Sequence, residues 1–121
     1  MIGIGAILMA LGVVLGAFGA HGLEGKITPE KLATFKTGVD YHLIHALGMI
    51  AIGLLAAQRG VSGGALGGAF WCLFAGVILF SGSLYALALG GPRWLGPVTP
   101  LGGALFIVGW LLLAWMATKS V

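Results

Sequence analysis

The chain has 121 residues, 60% of them hydrophobic and 7% charged, with a mean hydropathy of +1.11. Six Lys/Arg and three Asp/Glu cannot supply the polar shell that a water-soluble globule of this size requires, so the apolar surface faces lipid. The net charge of +3 is scattered singly or along one loop, which argues against a nucleic-acid partner, and the lone Cys72 excludes an intrachain disulfide framework or a cysteine metal site.

Four apolar runs stand out, each close to the ~20 residues that a bilayer requires. The first, over residues 2–20, has small residues near Ala17 and Gly19 that imitate a signal-peptide cleavage site. It begins directly with Met1-Ile2-Gly3, however, has no basic leader, and is long enough to span, so it is read as helix one. Residues 22–36 form the one strongly polar stretch. Within it Thr28-Pro29-Glu30 supplies a capping hydroxyl, a proline at the first helical position and an acidic first turn. Helix two is therefore expected over 29–57, starting as amphipathic, partly interfacial turns carrying Leu32, Phe35 and Val39, with Gly38 as the expected bend. Helix three, 65–89, stops at Gly90-Gly91-Pro92, and Thr99-Pro100 repeats the capped-proline start for helix four, 98–118. Short connections make sequential helices antiparallel neighbours. The expected fold is an all-α integral membrane four-helix bundle, one transmembrane domain over 1–121.

Two regularities bear on packing. Thr28-Pro29 and Thr99-Pro100 are each followed by a phenylalanine seven positions on, Phe35 and Phe106, which suggests a tandem repeat of two-helix units related by an axis along the membrane normal. Glycine, 23 residues in all, falls in stripes: Gly5, Gly12, Gly16 and Gly19 on helix one, Gly102 and Gly109 on helix four. Small stripes let helices approach closely in lipid. The pairs Gly63/Gly67 and Gly64/Gly68 are read in the same way, as packing and not as a dimerisation signal.

Polar side chains within the spans gather at one end. His21 closes helix one; Asp40, Tyr41, His42 and His45 enter helix two; Ser81, Ser83 and Tyr85 occupy the last third of helix three; Thr99 opens helix four. Because alternate helices run in opposite directions, all of these map to the membrane face of loops one and three. On helix two, Thr34, Gly38, Tyr41, His45, Gly48 and Ile52 follow a four-three spacing, so His45 points at other helices. His42 lies about 60° and Asp40 about 140° from it around the axis. On helix three Ser81 and Tyr85 share a face that Ser83 does not. A polar cluster of His21, Tyr41, His45, Ser81, Tyr85 and Thr99 is expected, with His45 making a hydrogen bond between helices, to Tyr85 or to a backbone carbonyl.

The pattern contains no C-x-x-C-H, H-E-x-x-H, nucleophile elbow or Ser-His-Asp arrangement, so no catalytic residues are assigned. A haem between His21 and His45, or a metal held by Asp40, His42 and His45, is conceivable from depth alone; the expectation is no cofactor and no metal.

Four motifs in order, Gly16-Ala-Phe-Gly-Ala-His21-Gly22, Tyr41-x-x-x-His45-Ala46, Leu79-Phe-Ser-Gly-Ser-Leu-Tyr85 and Thr99-Pro-x-Gly-Gly103 with Gly109-Trp110, make the chain resemble the domain-of-unknown-function 423 family, whose eukaryotic relatives resemble transmembrane protein 256. The resemblance spans nearly the whole sequence and implies a helical multi-pass protein of the cell inner membrane with no assigned activity. It also implies that the position of His42 is often uncharged. The function expected is noncatalytic: a polar pocket at one membrane face taking a membrane lipid, a quinone-like amphiphile or a partner subunit, in a homo-oligomer or a hetero-complex. The alternatives are a small transporter or proton-conducting oligomer, motivated by intramembrane His45 and the repeat, and a haem or metal redox protein.

Lys26, Lys31, Lys36 and Arg93 border loops one and three, whereas Arg59 and Lys119 lie on the opposite side with the termini. The positive-inside bias then places loops one and three in the cytoplasm. In a Cys72→Ala background, a membrane-impermeant maleimide added to intact cells should label a cysteine introduced at Ser62 and spare one at Glu24; the reverse pattern would invert the topology.

Overall fold

The computed structural model describes residues 1–119. Among these the fold is wholly helical: α1 (Ile2–Gly22), α2 (Pro29–Arg59), α3 (Gly64–Ala88) and α4 (Val98–Lys119), the last preceded by a 3₁₀ turn at Arg93–Leu95. All four are long and apolar enough to cross a membrane.

The start of α2 follows from its sequence. Thr28 Oγ1 accepts the Lys31 N–H at 3.2 Å, Pro29 fills the first helical position, and Glu30 sits in the positive end of the helix dipole. The helix ends where Gly60 turns left-handed at φ +67°, which frees the Val61 N–H to bond the Ala56 carbonyl at 3.0 Å. At 31 residues α2 is about 46 Å long, well beyond the ~30 Å hydrocarbon core. Its first turns therefore lie at the interface: Glu30, Lys31 and Lys36 are exposed while Phe35 is buried. The helix runs unbroken through Gly38. That glycine instead makes room for a ring, since a Cβ there would lie 2.8 Å from Tyr85 Cε1.

Two π turns depart from the expected helices. α1 is α-helical over Ile2–Ala17 and widens over Phe18–Gly22, where Leu23 N–H reaches back five residues to the Phe18 carbonyl. This carries α1 two residues past the expected end at 20. A second π turn, Val77–Ser81, interrupts α3 between Gly64–Gly76 and Gly82–Ala88. A π turn inserts one residue into the winding and so rotates the later part of the helix relative to the earlier part. In α4, Thr99 lies one residue inside the helix that begins at Val98, and its hydroxyl turns to a neighbouring helix.

The helices pack as a chain of neighbours. α1 lies on α2, α2 and α3 run along each other, and α4 lies on α3, while α1 and α4 make almost no contact. A tandem repeat about an axis along the membrane normal would pair α1 with α4 as α2 pairs with α3, so the contact pattern lacks the symmetry that the Thr-Pro repeat suggested. The glycine stripes explain the tight pairs. Gly5, Gly12, Gly16 and Gly19 face Ile50, Leu43, Val39 and Phe35 of α2, and Gly109 meets Leu73 of α3. At the start of α3, Gly63 and Gly64 face open space and Gly67 lies against the Ser62 carbonyl, so these three serve the turn, whereas Gly68 packs on Leu112 of α4 as the small-residue pairing suggested.

The buried apolar side chains form two clusters. The larger, around Met49, Ile52, Ala69, Phe70, Leu73 and Phe106, fills the half of the bundle toward the termini; the smaller, Leu23, Phe35, Val39 and Ala88, closes the end at loops one and three. The buried polar residues are His42, His45, Ser81 and Ser83.

Gly102 packs on the backbone of Phe80, which cannot swing aside. Gly102→Ala should therefore cost about 1–3 kcal/mol by overpacking, read from unfolding in detergent, whereas Gly3→Ala, with open space around it, should be neutral or slightly stabilising. Equal effects would show that the α3–α4 seam yields more than its geometry implies.

Candidate functional site

The polar layer divides on the two sides of α2. Toward α1 and α3 stands His42, 4% exposed. Its Nε2 lies 2.7 Å from the Leu8 carbonyl of α1. A carbonyl only accepts, so Nε2–H is the donor and Nδ1 carries the lone pair. Nδ1 in turn takes the hydroxyl proton of Tyr85 of α3 at 2.8 Å. One neutral ring thus links three helices. The reach to Leu8 depends on Gly12, where a Cβ would stand 3.1 Å from His42 Cδ2 and 2.6 Å from Leu43 Cδ2. One turn earlier in α3, fully buried Ser81 donates to the Gly38 carbonyl of α2 at 2.7 Å.

Toward α4 stands His45, 6% exposed. Its Nδ1–H donates to the Tyr41 carbonyl of its own helix at 2.7 Å, which leaves Nε2 as an acceptor. No hydrogen bond to Nε2 forms among the described residues, and it is not sealed from the surface, because every fully enclosed side-chain polar atom has a partner. The imidazole stacks face to face on Phe106, centroids 3.6 Å apart and planes 14° from parallel. The Tyr41 ring lies 5.9 Å from that of His45 at 4°, and Trp110 stands 5.7 Å away. Tyr41, Phe80, Gly103, Phe106 and Trp110 join His45 around an open groove of about 480 Å³ between α2 and α4. A smaller, almost wholly apolar groove of about 310 Å³ lies between α1 and α3, with Leu8, Val14, Ile78, His42 and Tyr85 on its walls.

The remaining expected residues separate. Thr99 shares a hydrogen bond with Ser83 at 2.5 Å, and Ser83 also donates to the Phe80 carbonyl at 2.9 Å, tying the start of α4 to α3. His21 is exposed at the end of α1, and Asp40 is exposed on α2. Of the expected cluster, Ser81 and Tyr85 lie on the His42 side, Tyr41 and His45 on the α4 side, Thr99 with Ser83, and His21 apart. The bond expected from His45 to Tyr85 is made by His42, and the carbonyl that His45 takes belongs to its own helix, so the bond between helices expected of it is not formed. Among the described residues no three His, Cys, Asp or Glu side chains come together as a metal site: His42 and His45 diverge, and both His42 nitrogens are occupied.

His42 is the residue that the sequence reading passed over. Its signal is a second four-three stripe, Phe35, Val39, His42, Ala46, Met49, Gly53 and Ala56, every member buried. This stripe runs beside the one through Tyr41 and His45, because α2 has neighbours on two sides.

The family model described as "Protein of unknown function (DUF423)" matches residues 15–103. The chain belongs to the DUF423 family. Its similarity to curated DUF423-like proteins extends over nearly full length. The UPF0382 membrane protein YwdK of Bacillus subtilis is 50% identical over 117 residues, 96% of this chain and 94% of the relative. UPF0382 membrane proteins of Staphylococcus haemolyticus and Staphylococcus epidermidis are 46% and 44% identical, covering 98% and 96% of this chain and 94% and 93% of theirs. With four spans and membrane-protein relatives in Gram-positive bacteria, this DUF423 member is a multi-pass protein of the cell membrane. No solved structure matches it.

Interhelical hydrogen bonds in membranes contribute about 0.6 kcal/mol on average and up to about 1.7. A double-mutant cycle of His42→Leu and Tyr85→Phe, monitored by unfolding in micelles, should give a coupling in that range. A coupling near zero would mean that the His42–Tyr85 bond does not hold α2 to α3.

Proposed function

We propose that this DUF423 protein is a noncatalytic membrane protein that holds a single amphiphile in the α2–α4 groove, at the loop-one and loop-three end of the bundle. The observation that carries the reading is the His45 Nε2 lone pair: a buried ring whose second nitrogen has no protein partner among the described residues and borders an open groove. Nε2 opens to a groove that faces lipid, where there is no bulk water to supply a partner. An amphiphile lying in the groove completes the bond while its tail runs along exposed Ile107 into the bilayer.

The other polar groups support a binding role over a reactive one. Ser81 and Ser83 both donate to backbone carbonyls, so neither serine hydroxyl is paired with a base, and the hydroxyl that does meet an imidazole, that of Tyr85 on His42, is held in a bond between helices. The groove volume of about 480 Å³ falls within the range of small-molecule sites, and its walls are mainly aromatic with few polar atoms, as such sites usually are.

Gly103 allows a direct test. A Cβ there meets only the Phe80 ring, at 3.8 Å, so a larger side chain can enter the groove without disturbing the helix. Native mass spectrometry of protein released from its own membrane should show one retained amphiphile per chain, absent from Gly103→Leu at unchanged helix content. Wild type without an adduct, or an adduct that Gly103→Leu retains, would reject the assignment.

A further inference from the structure

We infer that the groove is built for a hydroxylated aromatic ring on an apolar tail, the chemistry of a membrane hydroquinone, and that it prefers the reduced, hydroxyl-bearing form over the quinone. This rests on the proposed binding role and names the ligand class within it. Three features of the groove narrow the class.

The first is the sense of the hydrogen bond. With Nδ1–H committed to the Tyr41 carbonyl, neutral His45 presents only a lone pair at Nε2, so the ligand must bring a donor. A phosphate diester offers only acceptors and a trimethylammonium group offers neither. The second is charge: among the described residues no Lys, Arg, Asp or Glu lines the groove. An anionic head would lack a counter-charge, and so would a protonated amine, although the amine could donate. A neutral hydroxyl remains.

The third is shape. The Tyr41, His45 and Phe106 rings lie within 15° of parallel, with Phe80 and Trp110 tilted around them. Such walls favour a flat π system, which stacks in offset or edge-on contact, over a flexible glycerol. Gly103 and Ala104 add no bulky side chain to the groove wall. The Tyr41 hydroxyl has no hydrogen bond among the described residues, and its residue is 42% exposed. It can serve a second oxygen on the far edge of the ring, by donating to a quinone carbonyl or by exchanging a bond with a hydroxyl. Oxidation of the ligand removes the proton that His45 requires and leaves Nε2 facing a carbonyl oxygen. Loss of the donor to a buried acceptor corresponds to about a tenfold difference in affinity between the two forms.

The full chain in dodecylmaltoside micelles would be titrated with decyl-hydroquinone, decyl-benzoquinone and dioleoylglycerol, which has a hydroxyl but no ring, with bound probe counted by native mass spectrometry. The hydroquinone should bind about tenfold more tightly than the quinone, and dioleoylglycerol should compete poorly. His45→Phe, which keeps a ring against Phe106 but has no acceptor, should weaken hydroquinone binding to the level of the quinone. Should that variant fail to fold, Trp110→Leu replaces it, with loss of ring-probe binding and none for dioleoylglycerol expected. Equal binding of the two redox forms to wild type, a preference that survives His45→Phe, or equal competition by dioleoylglycerol would overturn the inference. If Gly103→Leu still strips a native amphiphile in any of those cases, the broader binding role stands without it. Probe binding that ignores Gly103→Leu would defeat both.

Discussion

A histidine ring placed in hydrocarbon brings two nitrogens that bulk water cannot reach, and the organisation of this bundle depends on where those nitrogens find partners. His42 satisfies both, on Leu8 of one neighbour and Tyr85 of another. The requirement is geometric before it is energetic. At ~0.6 kcal/mol per interhelical bond, the ring contributes little to holding the helices together, but a buried acceptor or donor without a partner costs about 1–3 kcal/mol. Rotations of α1 or α3 that break either bond are penalised, so His42 sets the angular register of three helices whose adhesion comes from elsewhere.

That adhesion is the work of glycine. Four glycines spaced along α1 and two on α4 bring backbone against side chain and, at Gly5, Gly102 and Gly109, backbone against backbone, so dispersion contacts accumulate where lipid provides no hydrophobic drive between helices. Because the seams pair α1 with α2 and α4 with α3, while α2 and α3 pair with each other, the arrangement stays open. α1 does not reach α4 to close it. Each outer helix then leaves a groove beside its partner's far neighbour, one between α1 and α3 and one between α2 and α4. Grooves that face lipid are thus a consequence of the order in which the small-residue seams occur along the chain.

The membrane class, the four spans and the cap at Thr28 were legible because they depend on local facts: apolar run length, a Thr-Pro-Glu triplet, Gly-Gly-Pro at a helix end. The glycine seams were legible as stripes, though not which helix each stripe would meet. Two things were hidden. The π turns at Phe18–Gly22 and Val77–Ser81 have no local signature, since ordinary α-helix suits the same residues, and the second one sets the rotation of Tyr85 and Ser83 relative to the first half of α3. The partner of Tyr85 was hidden for a related reason. A four-three stripe identifies a buried face, but α2 carries two such stripes side by side, and choosing between His42 and His45 requires knowing that α1 and α3 flank one while α4 covers the other.

The two histidines, three residues apart, are therefore opposite solutions to the same problem. His42 touches two other helices, and both of its nitrogens are engaged across helix boundaries. His45 turns one nitrogen back on its own helix and rests its face on Phe106, a contact that holds the plane of the ring without using its remaining lone pair. A purely structural side chain at that position could be phenylalanine, which would keep the stack on Phe106 without an unpaired nitrogen. Imidazole there gives the bundle no interhelical bond, and its remaining lone pair borders the groove that we propose as the amphiphile site.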